Sequence, residues 1–491
     1  MAMSALNWRC KNCGHSYAVG QVSHPVPQHL LTTNNPPSET ELVYLNDILP
    51  AATVEVAQEL ATLNDDIEAL QKTLETLKAR RPEFEARLLA YKSIISPVRR
   101  VPPEIVAEII DLATVGRPVT LDTQKGIWSL SHVSHMWRSV ALSNSFFWST
   151  IYIEFSKLND CAAERVQAIL LRTDNHPLSF ELFFGYGMKA SQYVARIIIE
   201  EFVRHASQWC EASLTIPSSL VYTLAALKNH IPNLQGLHLG LYEDVGHLIR
   251  CITYFRNAPA LRKVSFNSFL LHPQLFPWSQ ITEYSAGYSS GSCMRSLKLL
   301  PNLLDLRLDQ QYSDGTTALE LKKLCRLDVS QSENLISHLT LPSLQELIVP
   351  LHSHDFPSIM NLINRSECRI TALTFEGHLG DTDIVTDVYK LVEFFKSFPS
   401  LSVLNLSSHS ARTITTICNL FVSDTADLLP ILTELILPWG DFIRPLVSFL
   451  HGRRDNPSTS AIKIVRFTGP YHRLPPELQS LVHDGLNISF G

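Results

Sequence analysis

Cys10 and Cys13, three positions apart in CKNCGH, carry the sharpest chemical suggestion in the chain. Two thiolates at that spacing reach one tetrahedral metal ion, and a closed zinc site needs two further ligands. His15, His24 and His29 are the nearby candidates, and no second cysteine pair follows. Two readings stand: a structural zinc held by Cys10, Cys13 and two of these histidines, or a flexible segment with two free thiols. GYSSG, residues 287–291, matches the string that sets a nucleophilic serine, here Ser289, on a sharp strand-to-helix turn. A Ser-, Gly- and Tyr-rich loop surrounds it where a buried strand and a helix are needed, so catalysis by Ser289 is not expected. His132 and His135 fall three apart, which puts both on one face of a helix, but no third metal ligand accompanies them. No phosphate loop, dinucleotide fingerprint or paired-carboxylate motif occurs. The expected activity is recognition, and the chain is not expected to be an enzyme.

The elements that would position these residues belong to a 491-residue chain, too long for one small core. Its 45% hydrophobic and 18% charged content suits a globular protein. A formal net charge of −6 provides no basic field for nucleic acid or anionic lipid. No apolar run reaches membrane-spanning length, and the first residues lack the apolar core of a signal peptide. A cytoplasmic or nuclear protein is the expectation. The nine cysteines are an odd number and, Cys10 and Cys13 apart, are scattered singly. They read as reduced, mostly buried thiols and not as a disulfide framework.

Four segments follow from the patterning. Residues 1–39 are rich in Pro, Asn and His and carry little periodicity. Residues 40–96 carry a coiled-coil seam: Leu60, Leu63, Ile67, Leu70, Leu74 and Leu77 alternate in steps of three and four. The register continues through Arg81, Phe84, Leu88, Tyr91 and Ile95, and Pro82 is expected to kink or end the helix. The seam serves either self-association between chains or an antiparallel helix pair within one chain. Residues 97–150 form a compact helical unit. Pro103 suits a first helical position, Glu104 favours the dipole, and Ile105, Val106, Ile109, Ile110 and Ala113 make an apolar face ended by Gly116 and Pro118. A second helix follows, with Leu130, Val133, Trp137, Val140 and Ala141 in helical period.

Residues 151–491 repeat an apolar-x-x-apolar-x-apolar unit. Clear copies begin at Leu234, Leu261, Leu303, Leu324, Leu344, Ile370, Leu401 and Leu432, with a degenerate copy at Ile281; the intervals run from 20 to 31 residues. Fainter copies lie around Trp209, Leu214 and Ile216, and AIKIVRF (461–467) reads as the last member. Pro232, Pro259, Pro301, Pro342, Pro399 and Pro430 precede copies in phase and set the turn into each strand. This period is the signature of a leucine-rich-repeat solenoid, in which stacked units bury a shared core under a parallel sheet with a concave face. The asparagine expected after the third apolar position is mostly absent, so an irregular stack without an asparagine ladder is expected. The fold class is α/β: coiled-coil helices, a small helical unit and an irregular solenoid of parallel strands. RLPPEL (473–478) repeats the Pro-Pro-Glu start and reads as a helix that caps the solenoid.

Residues 98–150 resemble the F-box: Val101-Pro102-Pro103-Glu104-Ile105 opens it with Ile109 a turn later, and Val133-x-x-x-Trp137-Arg138 followed by Trp148 closes it. Val101 replaces the usual Leu, and the link between the helices is longer and more polar than in a minimal F-box. The Cys-x-x-Cys-Gly segment, the N-P-P-S-E-x-E motif from Asn35 to Glu41, the seam, SPVRRVPPE and the degenerate repeats together resemble the expanded F-box family of mushroom-forming fungi across nearly the whole chain. The resemblance implies a substrate-recognition subunit of a cullin–RING ubiquitin ligase. Val101, Pro102, Pro103, Ile105 and Ile109 would dock on a Skp-type adaptor bound to a cullin, Val133, Trp137 and Trp148 would form the F-box core, and the repeats would hold an unknown protein substrate. The alternative is a leucine-rich interaction scaffold outside any ligase. A third reading is a zinc- or nucleic-acid-binding regulator, against which the negative charge counts.

Overall fold

The computed structural model describes residues 7–9, 16–18, 26–158, 161–185, 192–242, 253–267, 275–287, 297–308, 318–329, 333–350, 356–376, 388–423, 428–469 and 474–490. They fall into two compact units, Met1–Val101 and Pro102–Gly491.

In the first unit, strands β1 (Asn7–Arg9) and β2 (Ser16–Ala18) pair antiparallel. A short helix α1 (Gln28–Thr32) precedes a 56-residue helix α2 (Glu39–Ile94). The N-P-P-S-E-x-E motif starts α2. Ser38 is extended (φ −66°, ψ 162°), and its backbone N–H and hydroxyl both donate to the Glu41 carboxylate, at 2.8 and 2.7 Å. The serine and the glutamate three residues on thus form a capping box. These bonds hold the Glu41 carboxyl below the usual glutamate range. The helix does not end at Pro82, since it runs through both Pro50 and Pro82. A proline removes one backbone hydrogen bond, and ion pairs Arg81–Glu85 (2.8 Å) and Glu83–Arg87 (2.7 Å) span the same turns. Residues 39–94 form one continuous helix and not a folded-back pair, and Leu60, Leu63, Ile67, Leu70, Leu74 and Leu77 are all exposed among the described residues.

The second unit opens with helices α3 (Pro103–Thr114), α4 (Gly126–Leu130) and α5 (His135–Ser143). Strands β3 (Thr150–Glu154), β4 (Leu178–Phe183), β5 (Trp209–Pro217), β6 (Gly236–Tyr242), β7 (Lys263–Phe266), β8 (Glu283–Ala286) and β9 (Asp305–Leu308) follow. Beyond them come β10 (Leu319–Glu320), β11 (Arg326–Asp328), β12 (Leu339–Thr340), β13 (Glu346–Pro350), β14 (Ala372–Glu376), β15 (Val403–Asn405), β16 (Glu434–Pro438), β17 (Ile464–Thr468) and β18 (Asn487–Phe490). Apart from the small parallel pair β10–β12, strands β3 to β18 form one fourteen-stranded sheet in chain order. All its neighbours are parallel. Each strand binds the next one in sequence, which is the topology of a solenoid.

The ladder register explains the repeat. The second apolar position of each copy stands beside that of the next, from Ile151 through Leu237, Leu306, Leu347 and Leu404 to Val465. These residues are buried, as are the first-position Leu234, Leu303, Leu344 and Leu401 and the third-position Leu239, Phe266, Leu308 and Phe375. The degenerate copy is genuine: Ile281, Tyr284 and Ala286 are buried in phase. The in-phase prolines occupy tight turns. In Ala258-Pro259-Ala260-Leu261 the Leu261 N–H donates to the Ala258 carbonyl at 3.2 Å, and the same bond recurs at Leu303, Leu344, Leu401 and Leu432. Proline at the second turn position presets the required φ.

Spacing decides the return segment. Among the described residues, the 20-residue interval from Leu324 returns through a 3₁₀ stretch, Glu333–His338, whereas the 31-residue intervals from Ile370 and Leu401 hold helices Val388–Lys396 and Ala411–Ser423. In place of an asparagine ladder, a backbone carbonyl just before each strand accepts two N–H groups from the next copy. Gln235 accepts from Arg262 and Lys263, Leu304 from Cys325 and Arg326, and Ser402 from Thr433 and Glu434, all within 3.0 Å. The stack extends further than its clear motif in both directions. Phe180 and Ala212 continue the row at one end, and AIKIVRF is not the last member, since β18 pairs with β17 beyond it. The Pro-Pro-Glu copy starts helix Pro476–His483, which feeds β18 instead of ending the stack.

Candidate interaction surfaces

The α3 helix is built as its residues dictate. Pro102 is extended (φ −59°, ψ 149°), Pro103 takes the first turn, and Thr114 ends the helix before Gly116 at φ +67°. Val106 and Ile110 are fully buried, and α3 packs against α4 and α5. The apolar face read as one is therefore split. Ile105 (51% exposed), Ile109 (40%) and Leu112 (74%) form a second stripe, with Pro102 and Pro103 exposed at its start. Spacings of four and three place these three side chains along one side of the helix. Val101 is half-buried.

The second helix of the unit is a correction. The sequence suggests one helix through Leu130, Val133 and Trp137, but the chain breaks between α4 and α5. Ser134 caps α5 by accepting the Trp137 N–H at 3.3 Å, a competing hydrogen bond that favours a helix start there. Val133 therefore lies in the turn, 55% exposed, and is not a core residue. His132 and His135 do not share a helix. The Nδ1 of His132 lies 2.8 Å from the Trp128 carbonyl, and His135 begins α5. Trp137 and Trp148 are buried, and Arg138 donates back to the Ser131 carbonyl at 3.2 Å.

Sequence reading missed what joins this hairpin to the sheet. The Trp128 and Trp148 rings meet edge-on, 5.0 Å apart, and the Arg172 guanidinium lies 4.6 and 4.4 Å from their centroids. Arg172 belongs to helix Ala162–Thr173 and is desolvated there, which depresses its pKa. The Trp148 indole donates to Ala141 O at 2.7 Å and that of Trp128 to Thr120 O at 3.0 Å. The polar link then adds to the sheet edge, where Val119 N–H donates to Thr150 O at 2.7 Å and its carbonyl accepts from Tyr152. A tryptophan pair with an arginine 44 and 24 residues further on has no local spacing signal.

The residues between the apolar positions line the open face of the sheet. Lys263–Glu283 (3.4 Å), Arg326–Glu346 (3.5 Å), Arg307–Asp328 (3.5 Å), Arg326–Asp305 (3.8 Å) and Arg466–Glu434 (2.7 Å) cross between strands there. Desolvation raises the Asp305 carboxyl despite Arg326. The x positions read as chemically mixed from sequence thus sort into a charged stretch over β7–β13.

The remaining candidates come apart. Cys10, Cys13, His15, His24 and Ser289 lie outside the described residues. His29 lies 3.3 Å from Glu41. Among the described residues no group of three or more His, Cys, Asp or Glu converges as metal ligands, and no helix is long and apolar enough to cross a membrane. The thiols are less buried than expected. Cys418 is buried, its pKa pushed up to about 12 by desolvation, but Cys210, Cys325 and Cys368 are half-buried and Cys161 is exposed.

No protein-family model matches the sequence, and no curated protein matches it. Among solved structures, the leucine-rich repeat-containing protein LegL7 from Legionella pneumophila aligns at 17% identity and a TM-score of 0.33. That alignment covers 55% of this chain and 85% of LegL7. A protein from Bacteroides fragilis aligns at 13% identity and a TM-score of 0.28, over 53% of this chain and 66% of the other.

Proposed function

We propose that this chain is the substrate-recognition subunit of a cullin–RING ubiquitin ligase, with the α3–α5 hairpin docking on a Skp-type adaptor and the repeats holding a protein target. The observation that supports this best is the split of α3. A helix whose buried face already satisfies its own core has no internal use for Ile105, Ile109 and Leu112 on its outer side. Such a stripe suits docking in a partner's groove. The mechanism is proximity: one module binds the ligase and the other presents the target. The competing scaffold reading keeps the repeats and drops the adaptor.

Both exposed isoleucines can be charged without opening the core. The Ile105→Asp, Ile109→Asp double variant is expected to keep its thermal midpoint and to lose binding to purified adaptor by at least a hundredfold in calorimetry. Equal binding by both proteins refutes docking through this stripe. Failure of the wild type to co-purify with adaptor and cullin favours the scaffold.

We infer a second partner for α2, another copy of itself. Extended backwards, the seam gains Leu42, Leu49 and Val56, all exposed, so one heptad position is apolar from Leu42 to Tyr91. Asn46 and Arg81 take the alternate position, where polar residues favour a parallel, in-register pair. Leu63→Cys is expected to give a disulfide-linked dimer under oxidation, and an exposed off-seam Glu68→Cys is not. Equal crosslinking, or a monomer by light scattering, removes this reading.

A further inference from the structure

The open face of β3–β7 is the floor of a cleft of about 580 Å³, walled on one side by residues 114–118 and by Phe146 and Phe147. That volume is within the range of sites that enclose a ligand group. Three features of its lining set the chemistry of an occupant.

The first is a glutamate without a counter-charge. Glu181 faces the cleft from β4 and forms no ion pair among the described residues. Surrounding protein desolvates it and raises its pKa, with no charged neighbour contributing. Arg117 lines the wall but pairs with neither cleft glutamate.

The second is the missing side chain on β6. Glu211, Gly236 and Lys263 stand side by side on β5, β6 and β7. A Cβ on Gly236 would lie 1.8 Å from Glu211 Oε2, so the Glu211 carboxylate occupies the space that any other residue would fill. It is thereby laid along the floor towards Lys263, which eases but does not cancel its desolvation. Lys263 is itself shared, lying 3.4 Å from Glu283. His238 adds no cation, since its Nδ1 is bonded to Ser265 Oγ at 3.0 Å and burial favours the neutral ring.

The third is an apolar rim. Phe146 is more than half exposed at the cleft mouth. An aromatic face beside a carboxylate suits a cationic head on an aliphatic stem. An anionic ligand would meet an unpaired Glu181 and a Glu211 that Lys263 only partly offsets. A metal ion would need a converging donor set, and the described residues provide none.

We propose that this cleft takes an arginine or lysine side chain of a peptide segment, with Glu181 as its counter-charge, Glu211 as the second acceptor and Phe146 against the stem. The proposal rests on reading the repeat module as the part that holds a protein partner, and is independent of adaptor docking.

The test is fluorescence anisotropy of the full chain with three labelled peptides, Gly-Ala-Arg-Phe-Ala-Gly and its Lys and Glu counterparts, beside a competition with benzamidine. The Arg and Lys peptides are expected to bind and the Glu peptide not. Glu181→Gln should weaken the Arg peptide about tenfold or more, the loss of one charge-assisted hydrogen bond. Gly236→Ala should weaken it several-fold by displacing Glu211 with no change of charge. Phe146→Ala, an exposed position that leaves the core intact, should also weaken it, and Glu434→Gln, outside the cleft, should not. The proposal is overturned if no peptide binds at millimolar concentration, if the Glu peptide binds as well, or if Glu181→Gln and Phe146→Ala leave affinity unchanged. Benzamidine binding without peptide binding overturns the peptide occupant. Loss of adaptor binding in the Ile105, Ile109 variant leaves all these readings untouched, so the two proposals fail separately.

Discussion

Two tryptophans of the hairpin look alike in sequence and differ in what their indoles do. The Trp148 indole N–H donates to Ala141 O at 2.7 Å, whereas the buried Trp137 indole N–H meets no acceptor among the described residues. Trp148→Phe should therefore cost about 1–3 kcal/mol by orphaning a buried carbonyl, and Trp137→Phe should be near neutral because it removes an unsatisfied donor. Denaturant midpoints of the two variants measure the difference, and equal losses contradict it. Glu181 makes a pH-dependent counterpart. Its folded pKa is raised, so its folded-state advantage is full below the ordinary glutamate range and is lost as pH rises through the folded value. Glu181→Gln should raise the thermal midpoint slightly at pH 7, the effect being reduced by exposure to solvent, and leave it unchanged at pH 3.5. A gain of the same size at both values excludes ionisation as the cause.

At the scale of elements, local chemistry and neighbours divide the work. Ser38 and Glu41 start α2 through contacts three residues apart, and Pro102–Pro103 start α3 through the fixed proline φ, so both starts are legible in sequence. Helix ends and interruptions depend on competition. The helix runs through Pro82 despite the lost backbone bond, and two ion pairs span the turns around it. Ser134 breaks a good helical period because its side chain offers the Trp137 N–H a nearer acceptor. Which of the isoleucines of α3 face inward is likewise set by α5, not by the helix itself, since the apolar arc of the sequence is wider than one packing contact can cover.

At the scale of the molecule, the stack is stable only as a stack, because each copy buries its leucines against its neighbours. β18 covers the edge of β17, whose N–H and C=O groups would otherwise template other strands. Removing residues 470–491 should lower the thermal midpoint and produce concentration-dependent scattering. A truncated protein that stays monodisperse with an unchanged midpoint contradicts the role of β18.

The sequence alone determined the repeat and its phase. A leucine row needs only period, and the prolines in phase fix the turn by their own φ, so the strand row from Leu237 to Leu435 is readable without coordinates. It also determined both helix starts and the apolar arc of α3, though not which part of that arc stays outside. Only the tertiary structure decided that Val133 faces outward, that Arg172 joins Trp128 to Trp148, and that Glu211 lies over Gly236 in the same cleft as an unpaired Glu181. Those contacts join residues dozens of positions apart, and their geometry arises from stacking of the copies, which no single copy encodes.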